Sequence, residues 1–73
     1  MNPPVTVHPF GADGGRRVSV HTAGGTHILG IAYSDADVVE FLRRAGLQDG
    51  EQLLDDREWV RWRGGRPHEW VAA

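Results

Sequence analysis

The chain contains no cysteine, and that one absence removes both a disulfide-stapled secreted scaffold and any zinc site built on thiolates. It contains no lysine either. All eight positive charges are arginine, and together with ten glycines this bias points to a GC-rich genome rather than to an activity. No apolar run approaches the roughly 18 residues that a membrane span needs, and Met1-Asn2-Pro3-Pro4 offers neither the basic segment nor the apolar stretch of a signal peptide. The expectation is a soluble cytoplasmic protein with no membrane partner. Gly-x-Ser-x-Gly, His-Glu-x-x-His and phosphate-binding Walker patterns are missing as well, and Gly11-Ala12-Asp13-Gly14-Gly15 is an ordinary loop, not a dinucleotide fingerprint.

What is present is concentrated at one end. All three tryptophans fall within residues 59 to 73, as Trp59-Val60-Arg61-Trp62-Arg63-Gly64-Gly65-Arg66-Pro67-His68-Glu69-Trp70, interleaved with arginine. This basic tail follows an acidic middle: residues 34 to 58 carry Asp35, Asp37, Glu40, Asp49, Glu51, Asp55, Asp56 and Glu58 against Arg43, Arg44 and Arg57. The formal net charge of −2 argues against a nucleic-acid binder, whose domain is usually basic throughout. At 73 residues the chain is one domain, residues 1–73, with residues 1–4 expected to be flexible. A domain this small buries only about 60% of its unfolded surface, so self-association is an expected supplement to its core.

Val5-Thr6-Val7-His8 alternates at period two after Pro-Pro, which predicts a short edge strand. Residues 16–22 and 26–33 predict a β-hairpin. With Gly24-Gly25 as a two-residue turn, Val20 faces Leu29 and Val18 faces Ile31, placing the apolar residues on one side. Ser34 can cap a helix whose first turns carry Asp35 and Asp37, and Val38, Phe41, Leu42 and Ala45 form its apolar stripe. Gly46 and Leu47 suit a Schellman stop, so the helix spans about residues 35–45. Leu53-Leu54 is either one helical turn or an anchor to the core. Glu58 to Arg63 reads as a strand with Val60 and Trp62 inward. If Gly64-Gly65 reverses the chain, a C-terminal hairpin sets Trp62 beside Pro67 and Trp59 beside Trp70, at the cost of Arg63 opposite Arg66. The fold class is α+β: a small antiparallel sheet of about four strands, in the chain order βββαβ, with one helix across one face.

Candidate chemistry is sparse. The hairpin sends His21 and His27 to opposite faces, so those two cannot ligate one ion, and nothing in the spacing brings His8 or His68 to a metal. Asp35, Asp37 and Glu40 sit where a helix dipole favours acids, and Asp55, Asp56 and Glu58 fall in a turn, so neither group reads as an acid/base pair. No catalytic residue, metal site or cofactor is assigned. The interaction candidates are Trp59, Arg61, Arg63, Arg66, His68 and Trp70, because Trp and Arg dominate protein interfaces. Trp62 reads as core, while Trp59 and Trp70 stand between core rim and interface. The same alternation could stack bases and meet phosphates through Arg57, Arg61, Arg63 and Arg66.

The segments Ala32-Tyr33-Ser34-x-Ala36-Asp37, Glu40-Phe41-Leu42-Arg43-Arg44-Ala45-Gly46-Leu47 and Trp62-Arg63-Gly64-Gly65-x-Pro67-x-x-Trp70 resemble short, mostly uncharacterised proteins of actinomycetes, over residues 16 to 70. They are also similar to the BldB-type developmental regulators of those bacteria. That resemblance implies a regulator acting through self-association and protein contacts, without enzymatic activity, and carries over no functional residue. The sequence therefore leads to a non-enzymatic interaction module whose partners are a second copy of itself and another protein, with nucleic acid the disfavoured alternative.

Overall fold

The computed structural model describes residues 3–71. It contains strands β1 (Val5–Phe10), β2 (Arg16–Thr22) and β3 (Gly25–Ala32), helix α1 (Asp35–Arg44), one helical turn α2 (Gly50–Leu53), and strand β4 (Val60–Trp62). They form one four-stranded sheet in the order β3-β2-β1-β4. The α+β architecture and the βββαβ order are as the sequence indicates. The sheet, however, is mixed: β1–β2 and β2–β3 are antiparallel, and β4 runs parallel to β1.

β1 is consequently an interior strand, not an edge. Its prolines are accommodated without a ladder donor: Pro3 and Pro4 precede the strand, and Pro9 falls in a bulge between the pairs Val7–Val18 and Phe10–Arg16. Of the N-terminal segment expected to be flexible, Met1 and Asn2 lie outside the described residues. Pro4 does not behave as a loose end, since its carbonyl accepts from the His21 N–H at 2.7 Å.

The β2–β3 hairpin forms in a different register from the one the glycines suggest. Thr22 pairs with Gly25, so Ala23-Gly24 is the turn, and the Thr22 hydroxyl fixes it by accepting from the Gly24 N–H at 3.2 Å. Val20 then faces His27 rather than Leu29. One extra residue of β3 at Leu29 restores pairing beyond a bulge, where Val18 meets Gly30 and Arg17 meets Ile31. The reason lies across the sheet. The Phe41 ring of α1 sits over Gly30, and a Cβ there would lie 2.7 Å from it, so the position opposite Val18 must be glycine and Ile31 is turned to the other face.

Helix α1 is built by local chemistry. The Ser34 hydroxyl accepts from the Asp37 N–H at 3.3 Å, and the Asp37 carboxylate accepts from the Tyr33 N–H at 2.8 Å. At the other end Gly46 takes φ 92° and the Leu47 N–H closes on the Leu42 carbonyl at 2.9 Å, a Schellman stop. Arg43 and Arg44 both pair with Glu40 on the outer side. The buried core is Val5, Val7, Val18, Ala32, Val38, Leu42, Leu54 and Val60, between α1 and one face of the sheet. Leu54, just past α2, is the anchor that the Leu53-Leu54 pair suggests.

The close approach at Gly30 is testable. Gly30→Ala forces the Phe41 ring to move, and equilibrium urea unfolding should show a loss of about 2 kcal/mol with an unchanged m-value.

Candidate interaction surface

The tryptophan-rich tail is held by a residue outside it. Arg16 opens β2 and its side chain is fully buried, which strand alternation explains because it shares the inward face with Val18. Its guanidinium makes four hydrogen bonds to backbone carbonyls. Nε donates to His8 at 2.9 Å, Nη1 to Arg66 and Glu69 at 3.1 Å each, and Nη2 to Arg63 at 2.9 Å. Three rings enclose it, with centroids 4.8 Å (Phe10), 5.3 Å (Trp62) and 5.8 Å (Trp70) from Cζ. Burial lowers the Arg16 pKa and the nearby Glu69 charge opposes that shift, while a guanidinium stays protonated in any case.

This clamp displaces the C-terminal hairpin. A Gly64-Gly65 reversal would exchange ladder bonds between residues 63 and 66, but both carbonyls are turned onto Arg16, and the Arg63 N–H donates to Val7. Gly64 adopts φ 69° against Pro9, where a Cβ would fall 2.5 Å from the proline ring. Trp70 therefore meets Trp62, edge to face at 6.0 Å, and not Trp59. Both indole N–H groups are satisfied, Trp62 by the Leu54 carbonyl at 3.0 Å and Trp70 by the Asp35 carboxylate at 2.8 Å.

His68 completes the clasp. With φ 63°, it tilts over Trp62 at 5.4 Å between centroids and places Nδ1 2.5 Å from an Asp35 oxygen and Nε2 2.6 Å from an Asp55 oxygen. Only the imidazolium can donate from both nitrogens. The hydrogen bonds to Asp55 and then Asp35 accordingly raise the His68 pKa above its usual value. Two acids from separate elements thus tie the tail to α1 and to the end of α2.

No family model, curated protein or solved structure matches the chain. Its surface must be read from its own residues. Of the six sequence-derived interaction candidates, the fold joins His68 and Trp70 in the clasp, where both serve the tail's attachment. Trp59 is 39% exposed. Arg66 is exposed on the tail loop, with its carbonyl on Arg16 and its N–H held by the Glu69 carboxylate at 2.8 Å. Arg61 and Arg63 are exposed at the β4 side, Arg61 beside Thr6 on the sheet face that α1 does not cover. The six do not form one patch.

That uncovered face carries residues the tail-centred reading passed over. On β3 it presents Ile28 and Ile31, 63% and 50% exposed, with Tyr33 just beyond at 52%. Ser19 is buried there and bonds to His8 Nε2 at 2.8 Å. His21 lies on this face beside Thr26, whereas His27 lies beside Val20 on the other, so the two do point apart. Among the described residues no group of three or more His, Asp or Glu is placed to hold a metal ion, and no helix is long and apolar enough to cross a membrane. The signal for Arg16 was in the sequence: alternation with Val18 and Val20 predicts an inward arginine. Its three acceptors in the tail, 47 to 53 residues away, left no such trace.

Removing the clamp should release the tail. Arg16→Gln leaves carbonyls at residues 63, 66 and 69 without their donor, and should cost on the order of 3 kcal/mol in urea unfolding, with Trp62 and Trp70 fluorescence shifting as in solvent. The His68 clasp gives a pH signature. Its stabilisation is complete below the unfolded value of 6.5 and fades as pH rises through the higher folded value. His8 is shifted the other way, first by burial and then by Arg17 and Arg63, so its effect falls below that window. Stability should thus decline above pH 6.5 in wild type, and His68→Gln should abolish that decline.

Proposed function

We propose that this chain is a non-enzymatic interaction module, a small regulator or adaptor that associates with a second copy of itself through β3 and its outward isoleucines. The observation that carries this reading is one-sided coverage of the sheet. Helix α1 packs on one face, while Ile28 and Ile31 stand on the other beside an unpaired strand edge. β3 is eight residues long, Gly25-Thr26-His27-Ile28-Leu29-Gly30-Ile31-Ala32, without a charged residue or proline to blunt its edge. The opposite edge, β4, has only three residues and carries Arg61 at its centre.

The chemistry favours a second copy as the occupant of β3. Two antiparallel β3 strands related by a two-fold axis oppose no like charges, and the axis brings the open faces onto one side. The isoleucines of both copies then adjoin, a contact that supplements a core built largely of valine. The bulge at Leu29 bends the strand and concentrates such pairing on Gly25–Ile28.

Sedimentation velocity between about 5 and 500 µM tests it, a span that brackets weak micromolar association. Wild type should pass from monomer to dimer, Ile28→Lys should remain monomeric at every concentration, and Trp59→Ala should behave as wild type. Because Ile28 is largely exposed, its replacement should leave the melting temperature nearly unchanged. A wild-type monomer throughout the range would sink the proposal.

A further inference from the structure

The strand register assembles a second feature on the open face, extending from Ile31 of β3 toward β4. The bulge in β1 sets His8 and Pro9 against Arg17 of β2. Arg17 in turn pairs with Ile31 of β3. On the other side, Val7 pairs with Trp62 and accepts from the Arg63 N–H at 2.9 Å, so Arg63 follows beside His8. One row across the sheet therefore reads Ile31, Arg17, His8, Arg63. With neighbouring strands about 4.8 Å apart, the two arginine backbones stand roughly 10 Å from one another, with the imidazole between them.

The two guanidiniums of this row repel one another across the imidazole unless something negative joins them. Among the described residues neither Arg17 nor Arg63 has an ion pair, and both are exposed. One acid on this side, Asp13, keeps its charge, with its carboxylate accepting from the Tyr33 hydroxyl at 2.6 Å and from the Gly15 N–H at 3.1 Å. His8 feels both arginines, which together with burial disfavour its charged form. The His8 ring is fixed through Nε2 by the buried Ser19 hydroxyl, and a cleft of about 270 Å³ opens beside it, lined by Arg17, Phe10, Asp13 and Ile31, with Arg63 outside its lining. Arg43 and Arg44, by contrast, both pair with Glu40 on the helix side.

We propose that Arg17, His8 and Arg63 form a binding site for a phosphate group, with the two guanidiniums converging on the anion over the imidazole. Guanidinium forks match the phosphate geometry, and the apolar Ile31 at the end of the row accommodates whatever the phosphate is attached to. Phosphate chemistry of this kind is carried by a free anion or by the backbone of a single-stranded nucleic acid. The site goes beyond self-association at β3 and shares only Ile31 with it.

Two-dimensional NMR of the histidine rings, with three titrants, tests the site. Inorganic phosphate and a thymidine oligonucleotide should each perturb the His8 ring while leaving His21 and His27 in place. Arg17→Gln and Arg63→Gln should each abolish the perturbation, and Arg43→Gln should not. If the nucleic-acid backbone is the source, the oligonucleotide binds more tightly than phosphate, with a log–log salt slope of about −0.7 for the one phosphate held. If free phosphate is the source, it binds at least as tightly as the oligonucleotide. A polyglutamate peptide should not compete with either. The proposal is overturned if His8 is unmoved by both phosphate ligands, if Arg17→Gln and Arg63→Gln respond like wild type, or if polyglutamate binds equally well. All substitutions lie on exposed side chains, and unchanged far-UV dichroism confirms that each variant is folded.

Discussion

The buried guanidinium of Arg16 is the constraint around which the rest of this molecule is arranged. Removing a charge from water costs several kcal/mol, and here no carboxylate bonds to it in return. The compensation is distributed among four carbonyl acceptors and three aromatic rings, drawn from β1, β4 and the tail. The tail has no ladder of its own and β4 has three residues, so both depend on the cation that their carbonyls surround.

Much that looks functional in the sequence becomes structural through this clamp. Trp62 and Trp70 supply walls, Gly64 supplies a backbone turn against Pro9, and His68 is tied between Asp35 and Asp55. A small domain with so few large aliphatic residues in its core uses aromatic rings to bury surface, and arginine to bind the strand-free tail. No buried side-chain nitrogen or oxygen among the described residues is left without a partner. Such complete satisfaction makes the tail part of the fold.

What remains outward is divided by chemistry. The helical side holds most of the acids, with Arg43 and Arg44 paired to Glu40 there. The open sheet face runs from isoleucine on β3 to arginine beside β4, with His8 between the basic side chains. Apolar and cationic contacts therefore occupy opposite ends of one surface. A second copy at the strand edge and a phosphate over the row have only Ile31 in common.

Local elements were legible because their causes are local. Ser34, Asp37, Gly46 and Leu47 determine both ends of α1 within a few residues, and period-two alternation locates the strands and the inward Val60 and Trp62. The hairpin was legible in kind but not in register. Choosing Ala23-Gly24 over Gly24-Gly25 shifts the pairing, and the bulge at Leu29 is demanded by Phe41 over Gly30, a contact 11 residues distant that no strand pattern displays. The candidate site was legible only as a composition of tryptophan and arginine. Which of those residues turn inward depends on a single arginine far upstream, and on the parallel seating of β4 beside β1, which also creates the row of Arg17, His8 and Arg63. Sequence alone determined the fold class, the helix and the faces of short strands, since these follow from neighbouring side chains and backbone geometry. Tertiary structure decided strand order, register and the fate of the tail, because each depends on where distant carbonyls and rings meet one buried charge.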